Sequence, residues 1–115
     1  MGRLQYTKDT IASAIDLSAN YTSPSVDCRH LSDILLTCVC TGSPSGTFTV
    51  QYSVDNKTFY TLLDSAGNNV ELALSGSAEN LQFTFAEFPA GYLRLSYASG
   101  GTGSAEIIYS AKGGA

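Results

Sequence analysis

Four side chains able to bind a soft metal or attack an electrophile lie within thirteen positions: Cys28, His30, Cys38 and Cys40. Cys28-x-His30 and Cys38-x-Cys40 are both i, i+2 pairs, and on an extended strand residues two apart point to the same side. A hairpin centred near Asp33 would set Cys28 opposite Cys38 and bring four ligands toward one tetrahedral zinc. Two facts weigh against that chemistry. Residues two apart on a strand are separated by about 6.6 Å, which is wide for chelation, and the spacing is not that of a Cys-x2-Cys knuckle. Cysteine is also among the most buried residue types and packs as a small hydrophobe. Core packing is the leading expectation for all three cysteines, with a cross-strand Cys28–Cys38 disulfide and a metal site as alternatives.

His30 is the single histidine, so a Ser-His-Asp or Cys-His arrangement must use it. Asp27 and Asp33 are its near neighbours, but Asp27 falls on the opposite face of a strand, and no Gly-x-Ser-x-Gly elbow occurs. The ten carboxylates are scattered: Asp55, Asp64 and Glu79 sit in turn-like segments, Glu71 and Glu106 at polar strand positions. Neither a glycosidase pair nor a dense calcium loop emerges. Gly100-Gly101-Thr102-Gly103 precedes a strand, whereas a phosphate loop needs a helix N-terminus behind it, so a hairpin tip is expected. Asn20-Tyr21-Thr22 and Asn56-Lys57-Thr58 fit the glycosylation pattern but are discounted without an export signal. The residues therefore predict no catalytic, metal or cofactor-binding site and a protein that is not an enzyme.

The elements that would carry these side chains are strands. Phe48, Val50, Tyr52 and Val54 alternate with Thr47, Thr49, Gln51 and Ser53, the period of a half-buried strand. Asp55-Asn56-Lys57 breaks it with Asx-turn chemistry, and Thr58–Leu63 begins another. Ile11–Leu17 reads as a strand with Ile11, Ser13 and Ile15 on one side. Ser25–His30 follows, with Val26, Cys28 and His30 on one side and a hairpin turn at Leu31–Asp33. Ile34–Thr41 is apolar on both faces, the mark of a central strand. Gly42–Gly46 reads as a turn. Val70–Leu74, Leu81–Phe85, Leu93–Tyr97 and Ala105–Lys112 alternate in the same way, with Ile107 and Tyr109 inward. Ser99–Ser104 reads as a loop, and one helical turn is possible near Ala86–Pro89. Eight or nine short strands at this spacing predict an all-β antiparallel sandwich, jelly-roll or immunoglobulin-like. Residues 11–115 form its single domain, and 1–10 an N-terminal arm or edge strand.

Composition narrows the function classes. The chain has 115 residues, 14% charged against about 25% in an average soluble protein. Its formal charge is -4, and Arg3, Lys8, Arg29, Lys57, Arg94 and Lys112 are spread along its length. Phosphate-backbone binding relies on clustered cations, so direct nucleic-acid binding is not expected. No apolar run approaches the roughly 18 residues of a membrane span. No basic segment followed by an apolar stretch marks a secretory signal, and three cysteines fit synthesis in a reducing cytoplasm. Small hydroxyl residues replace the missing charges. Covering them orders little side-chain freedom, as suits a domain inside an assembly, although Thr and Ser are also ordinary on exposed strands.

Several phrases then line up. Ile15-Asp16-Leu17, Thr41-Gly42-Ser43-Pro44-Ser45-Gly46-Thr47-Phe48, Val50-Gln51-Tyr52-Ser53-Val54-Asp55-Asn56, Gly91-Tyr92-Leu93-Arg94-Leu95-Ser96-Tyr97 and Tyr109-Ser110-Ala111-Lys112-Gly113 occur in that order. Together, over roughly residues 11–113, they resemble small all-β structural proteins encoded among bacteriophage virion genes. Members usually carry Trp where this chain has Phe59, which keeps an aromatic anchor, and an apolar run where it has Cys38 and Cys40. The resemblance implies a non-enzymatic virion component made in the host cytoplasm: a capsid decoration or cement protein, or a spike, fibre or head–tail part. Its partners would be the major capsid or other virion proteins and further copies of itself as a homo-oligomer, without membrane or direct nucleic-acid contact. The contact segments expected are Met1–Thr10, Gly42–Gly46, Ser99–Ser104 and the Gly-rich tail. The alternative is a carbohydrate-binding or adhesion module in which Tyr6, Tyr21, Tyr60 and Tyr92 stack on sugars.

Overall fold

The computed structural model describes the main chain of residues 5–113 and the side chains of residues 8–112. Met1–Leu4 of the expected arm and the end of the Gly-rich tail lie outside the described residues. The described residues form ten strands and no helix: β1 (Gln5–Asp16), β2 (Tyr21–Thr22), β3 (Val26–Asp27), β4 (Leu31–Pro44), β5 (Thr47–Ser53), β6 (Tyr60–Thr61), β7 (Glu71–Ala73), β8 (Glu79–Phe85), β9 (Tyr92–Ala98) and β10 (Gly101–Gly113). The helical turn expected near Ala86–Pro89 is absent; those residues are bends and irregular chain.

All pairings are antiparallel. One sheet runs β1-β10-β4-β8. The other is centred on β9 and β5, with β2 and β3 along the free side of β9 and β6 and β7 along that of β5. Six of the nine connections pass from one sheet to the other, and the one between β3 and β4 overturns the hairpin at Leu31–Asp33. β3 pairs with β9, whereas β4 lies between β10 and β8, so Cys38 stands opposite Ile107 and Leu81, not Cys28. Strand 25–30 shrinks to Val26–Asp27 because the chain turns at Arg29-His30, where the Leu31 N–H bonds the Cys28 carbonyl at 3.2 Å, and upstream Pro24 interrupts the ladder. Ser23 restores it, donating its N–H to the Leu95 carbonyl while its hydroxyl accepts from the Leu95 N–H, both at 2.9 Å.

Both sheets turn their apolar positions into one core. β4 and β10 supply Ile34, Leu36, Cys38, Cys40, Ala105 and Ile107; β5 and β9 supply Phe48, Val50, Leu93, Leu95 and Tyr97. β4 is indeed central, and Leu35, Thr37 and Val39 on its other side are only half-buried. Two inward expectations fail. Ser13 is exposed, because the β1–β10 register shifts between Thr10 and Ala12 and again before Ile15, with Ala14 at φ 54°. Val54 is exposed while Ser53 is buried, because Asp55 draws the Ser53 hydroxyl into its turn at 2.9 Å.

The expected turn at Gly42–Gly46 and loop at Ser99–Ser104 are largely strand. Gly42, Ser43 and Pro44 pair with Gly103, Thr102 and Gly101. The glycines permit that pairing: a Cβ on Gly42, at φ 88°, would meet the Gly103 Cα at 2.7 Å. Beside them Tyr97 is 1% exposed, and its ring lies 4.7 Å from that of Phe48. Its hydroxyl donates to the Leu17 carbonyl at 2.9 Å, satisfying the polar end of a buried phenol. A Cβ on Gly46 would run into the Ala98 carbonyl and the Tyr97 ring.

Tyr97→Phe should lower the unfolding free energy by about 1 kcal/mol, the usual worth of one hydrogen bond. Tyr97→Ala and Phe83→Ala should each lower it by about 3–5 kcal/mol. Urea titration measures both, and near-wild-type midpoints for the alanine variants would contradict the core assignment.

Candidate functional site

The residues first singled out for chemistry are dispersed. Cys28, Cys38 and Cys40 are free and buried. Cys28 follows β3, while Cys38 and Cys40 lie on β4 in the other sheet. Burial pushes the Cys28 and Cys38 thiols up to about 12 and raises Cys40 as well. His30 is exposed. Its acidic neighbours serve other cations: Asp27 receives the Arg29 Nε at 2.9 Å, and Asp33 lies 3.4 Å from the Lys112 ammonium. Among the described residues no group of three or more His, Cys, Asp or Glu could hold a metal ion. Asn20 of the first glycosylation pattern accepts the Ser99 N–H at 2.8 Å.

A different region gathers exposed apolar surface. Val54, Tyr60 and Leu63, at 78%, 56% and 53% exposure, are the large hydrophobic residues left exposed among those described. All three fall in the ten residues after β5. Asp55 builds this segment: its Oδ1 accepts from the Lys57 and Thr58 N–H groups at 2.9 and 3.0 Å, with Asn56 at φ 60°. A shallow groove of about 420 Å³ follows, lined by Tyr52, Thr61, Leu62, Leu63 and Pro89. A second depression, lined among others by Arg29, Leu31, Val54 and Phe88, meets it at Pro89.

On the outer face beside this end two arginines lie on aromatic rings. Arg94 is 3.9 Å from the centre of Phe59, with its Nε on Gln51 at 2.7 Å, and Arg29 is 5.4 Å from the centre of Tyr92. Two of the resemblance phrases, the Asp-Asn turn with its aromatic and the Gly91–Tyr97 strand, therefore meet physically. The described sugar-stacking candidates stand in different settings. Tyr21 is half-buried on β2, Tyr92 lies beneath Arg29, and Tyr60 tilts by 39° against Tyr52; the Tyr6 side chain lies outside the described residues. Sequence reasoning missed this site because unbroken alternation assigns Val54 inward. Its signal was the Ser53-x-Asp55 pair, which can close on itself and flip the residue between.

No family model matches the chain, and no curated protein matches it. Solved structures do share its fold. The SPBc2 prophage-derived protein YomS superposes with a TM-score of 0.63 at 14% identity, over 96% of this chain and 95% of that one. The PBSX exported protein XepA gives 0.63 at 13% identity over 95% of this chain, which spans 37% of XepA. A chain of the Bacillus endospore appendages, described as disulfide-linked pili, gives 0.53 at 12% identity over 98% of this chain and 89% of that one. The resemblance to small all-β phage proteins is thus matched, at the level of fold, by phage-derived structures.

Two outcomes follow. Ellman's reagent at pH 8 should leave all three thiols of the folded protein nearly unreacted and titrate them fully in denaturant, because reaction needs the thiolate; rapid labelling of the native chain would refute their burial. Asp27, held at about 2 by Arg29, and Asp55, held below its usual 3.8 by the Thr58 and Lys57 N–H groups, bind protons more weakly folded than unfolded. Their contribution is therefore present above about pH 4 and lost as pH falls toward 2. Urea midpoints should drop over that window, and less steeply in an Asp27→Asn, Asp55→Asn double variant.

Proposed function

We propose that this chain is a non-enzymatic bacteriophage virion structural protein, a decoration or cement component whose two sheets form the layers of a β-sandwich and whose work is to bind neighbouring virion proteins. The observation that carries this reading is the concentration of Val54, Tyr60 and Leu63 at one end, beside the Tyr52–Pro89 groove. Exposed apolar residues gathered at one place mark contact sites, whereas scattered ones need no explanation. The shared fold of phage-derived proteins supports the virion setting, but fold alone does not assign function, so the surface carries the weight. The chemistry expected is burial of the apolar cluster at the centre, with Arg29 and Arg94 at its margin, the anatomy of a protein–protein contact. The partner would be a coat or other virion subunit, the assembly homo-oligomeric and the location the particle.

The test is co-sedimentation of the purified chain with phage particles from the host that carries its gene. A Tyr60→Ser, Leu63→Ser double variant should fold with a melting temperature near that of the wild type and lose binding by roughly tenfold or more. Undiminished binding would move the contact elsewhere, and failure of the wild type to associate with particles would end the proposal.

A further inference from the structure

The sheet edges of this protein are not equally protected. An exposed strand edge offers unpaired N–H and C=O groups to any passing chain, and proteins blunt such edges with bulges, prolines, charges or interruptions. β1 carries two register shifts, a left-handed Ala14 and exposed Lys8 and Asp9. The β2–β3 edge is two dipeptide strands separated by Pro24. The β6–β7 edge is interrupted by an excursion that closes on itself through the Leu63–Asn69 bridge and the Val70 N–H bond to the Leu62 carbonyl at 2.9 Å.

β8 has none of these devices. Its seven residues pair with β4 without a break, from Ile34 opposite Phe85 to Cys40 opposite Glu79. It contains no proline, glycine or cation. Its single charge, Glu79, is turned back within the chain, accepting from the Ser75 N–H at 2.7 Å and the Ser75 hydroxyl at 3.0 Å. Among the described residues β8 has no main-chain partner other than β4. Below this edge a lateral opening between the sheets, about 330 Å³, is lined by Val70, Leu72, Phe83 and Phe85 together with Asp64 and Glu71.

We infer that β8 is a dimerisation edge and that its occupant is β8 of a second copy. The sequence of the strand is self-complementary in the way a two-fold interface requires. Gln82 is its midpoint, and an antiparallel pair using all seven residues must place the axis there. Leu81 then stands opposite Phe83 of the partner subunit, Asn80 opposite Thr84 of the partner subunit, and Gln82 faces itself. Opposite residues stay on the same face, so apolar side chains meet over the lateral opening and polar amides meet on the wet side. Glu79 falls opposite Phe85 of the partner subunit, so no like charges oppose. The half-buried Leu81 and Phe85 become covered, and the four-stranded sheet continues into one of eight strands.

This inference rests on the reading of the chain as an assembling structural protein, and it is tested without particles. Sedimentation velocity on the wild type should give twice the monomer mass. Gln82→Lys and Gln82→Glu each set like charges face to face at the axis and should raise the dimer dissociation constant by roughly tenfold or more. An equimolar mixture of the two should restore a dimer. Because Gln82 is exposed, circular dichroism should be unchanged. Hydrogen exchange on the wild type gives a variant-free arm: β8 amides should be protected at high concentration and lose protection on dilution. A monomeric wild type, variants that dimerise as tightly as wild type, or open-ended growth indicating β8 on β1 of another copy would each overturn the proposal. A monomer that still co-sediments with particles would overturn this dimer alone and leave the proposed function standing.

Discussion

A buried phenol holds the two sheets in register. Tyr97 belongs to β9, yet its hydroxyl is bound by the Leu17 carbonyl, immediately after β1 of the other sheet. Leu17 in turn donates its N–H to Gly103 of β10 at 2.9 Å. β9 and β10, one from each sheet, are thus both tied to Leu17. A hydroxyl taken out of water must keep a partner or lose on the order of 1–3 kcal/mol, so this end can close only one way. The surrounding glycines follow from it: Gly46 leaves room for the ring, and Gly42 and Gly103 let two main chains approach. The segment Gly42–Gly46, which reads as a turn, is better understood as the socket for Tyr97.

Closing one end by main-chain bonds shapes what the other end can do. Leu17, Gly42–Gly46 and Ser99–Gly103 spend their polar groups on each other, through the Ser45 N–H on the Gly100 carbonyl at 2.8 Å and the β4–β10 ladder. At the opposite end, Asp55 satisfies the turn after β5 with one carboxylate. Its Oδ1 serves two backbone N–H groups and the Ser53 hydroxyl, so polar contacts hold the turn over residues 53–58. Val54 faces outward from that turn, and Tyr60 and Leu63, held by the pairing with Tyr52 and the bridge to Asn69, stay exposed after it. A preformed apolar surface loses little freedom on binding, which favours a contact site over a floppy loop.

The sequence pattern made the strands legible wherever both neighbours were ordinary. β5, β8, β9 and the centre of β4 follow the alternation Phe48-Val50, Leu81-Phe83, Leu93-Leu95-Tyr97 and Ile34-Leu36-Cys38, because a period of two reports burial directly. Pairing was not legible. Apolar alternation says that a strand faces a core, not which strand lies beside it, and here consecutive strands change sheets, so nearness in sequence misleads at Leu31–Asp33. The candidate site was hidden for a local reason: one side-chain bond, Ser53 to Asp55, reversed two residues against the periodicity. The cysteines were readable as hydrophobes from their place in the alternation, and their raised pKa values express the same burial.

The two surfaces proposed here occupy different parts of the molecule, and their relation bears on mechanism. β8 is an edge of one sheet, while the Val54–Leu63 surface lies on the segment that follows β5 in the other. A two-fold axis normal to the sheet at Gln82 reverses strand direction. In the dimer the apolar ends therefore point opposite ways, one at each extremity. Such a particle can hold two separate neighbours at once, and the second contact forms at the effective concentration set by the first. A rigid eight-stranded sheet suits that task better than a flexible link, since it fixes the span between the two ends. Surfaces that are individually weak then resist separation together, as the proposed decoration or cement role would require.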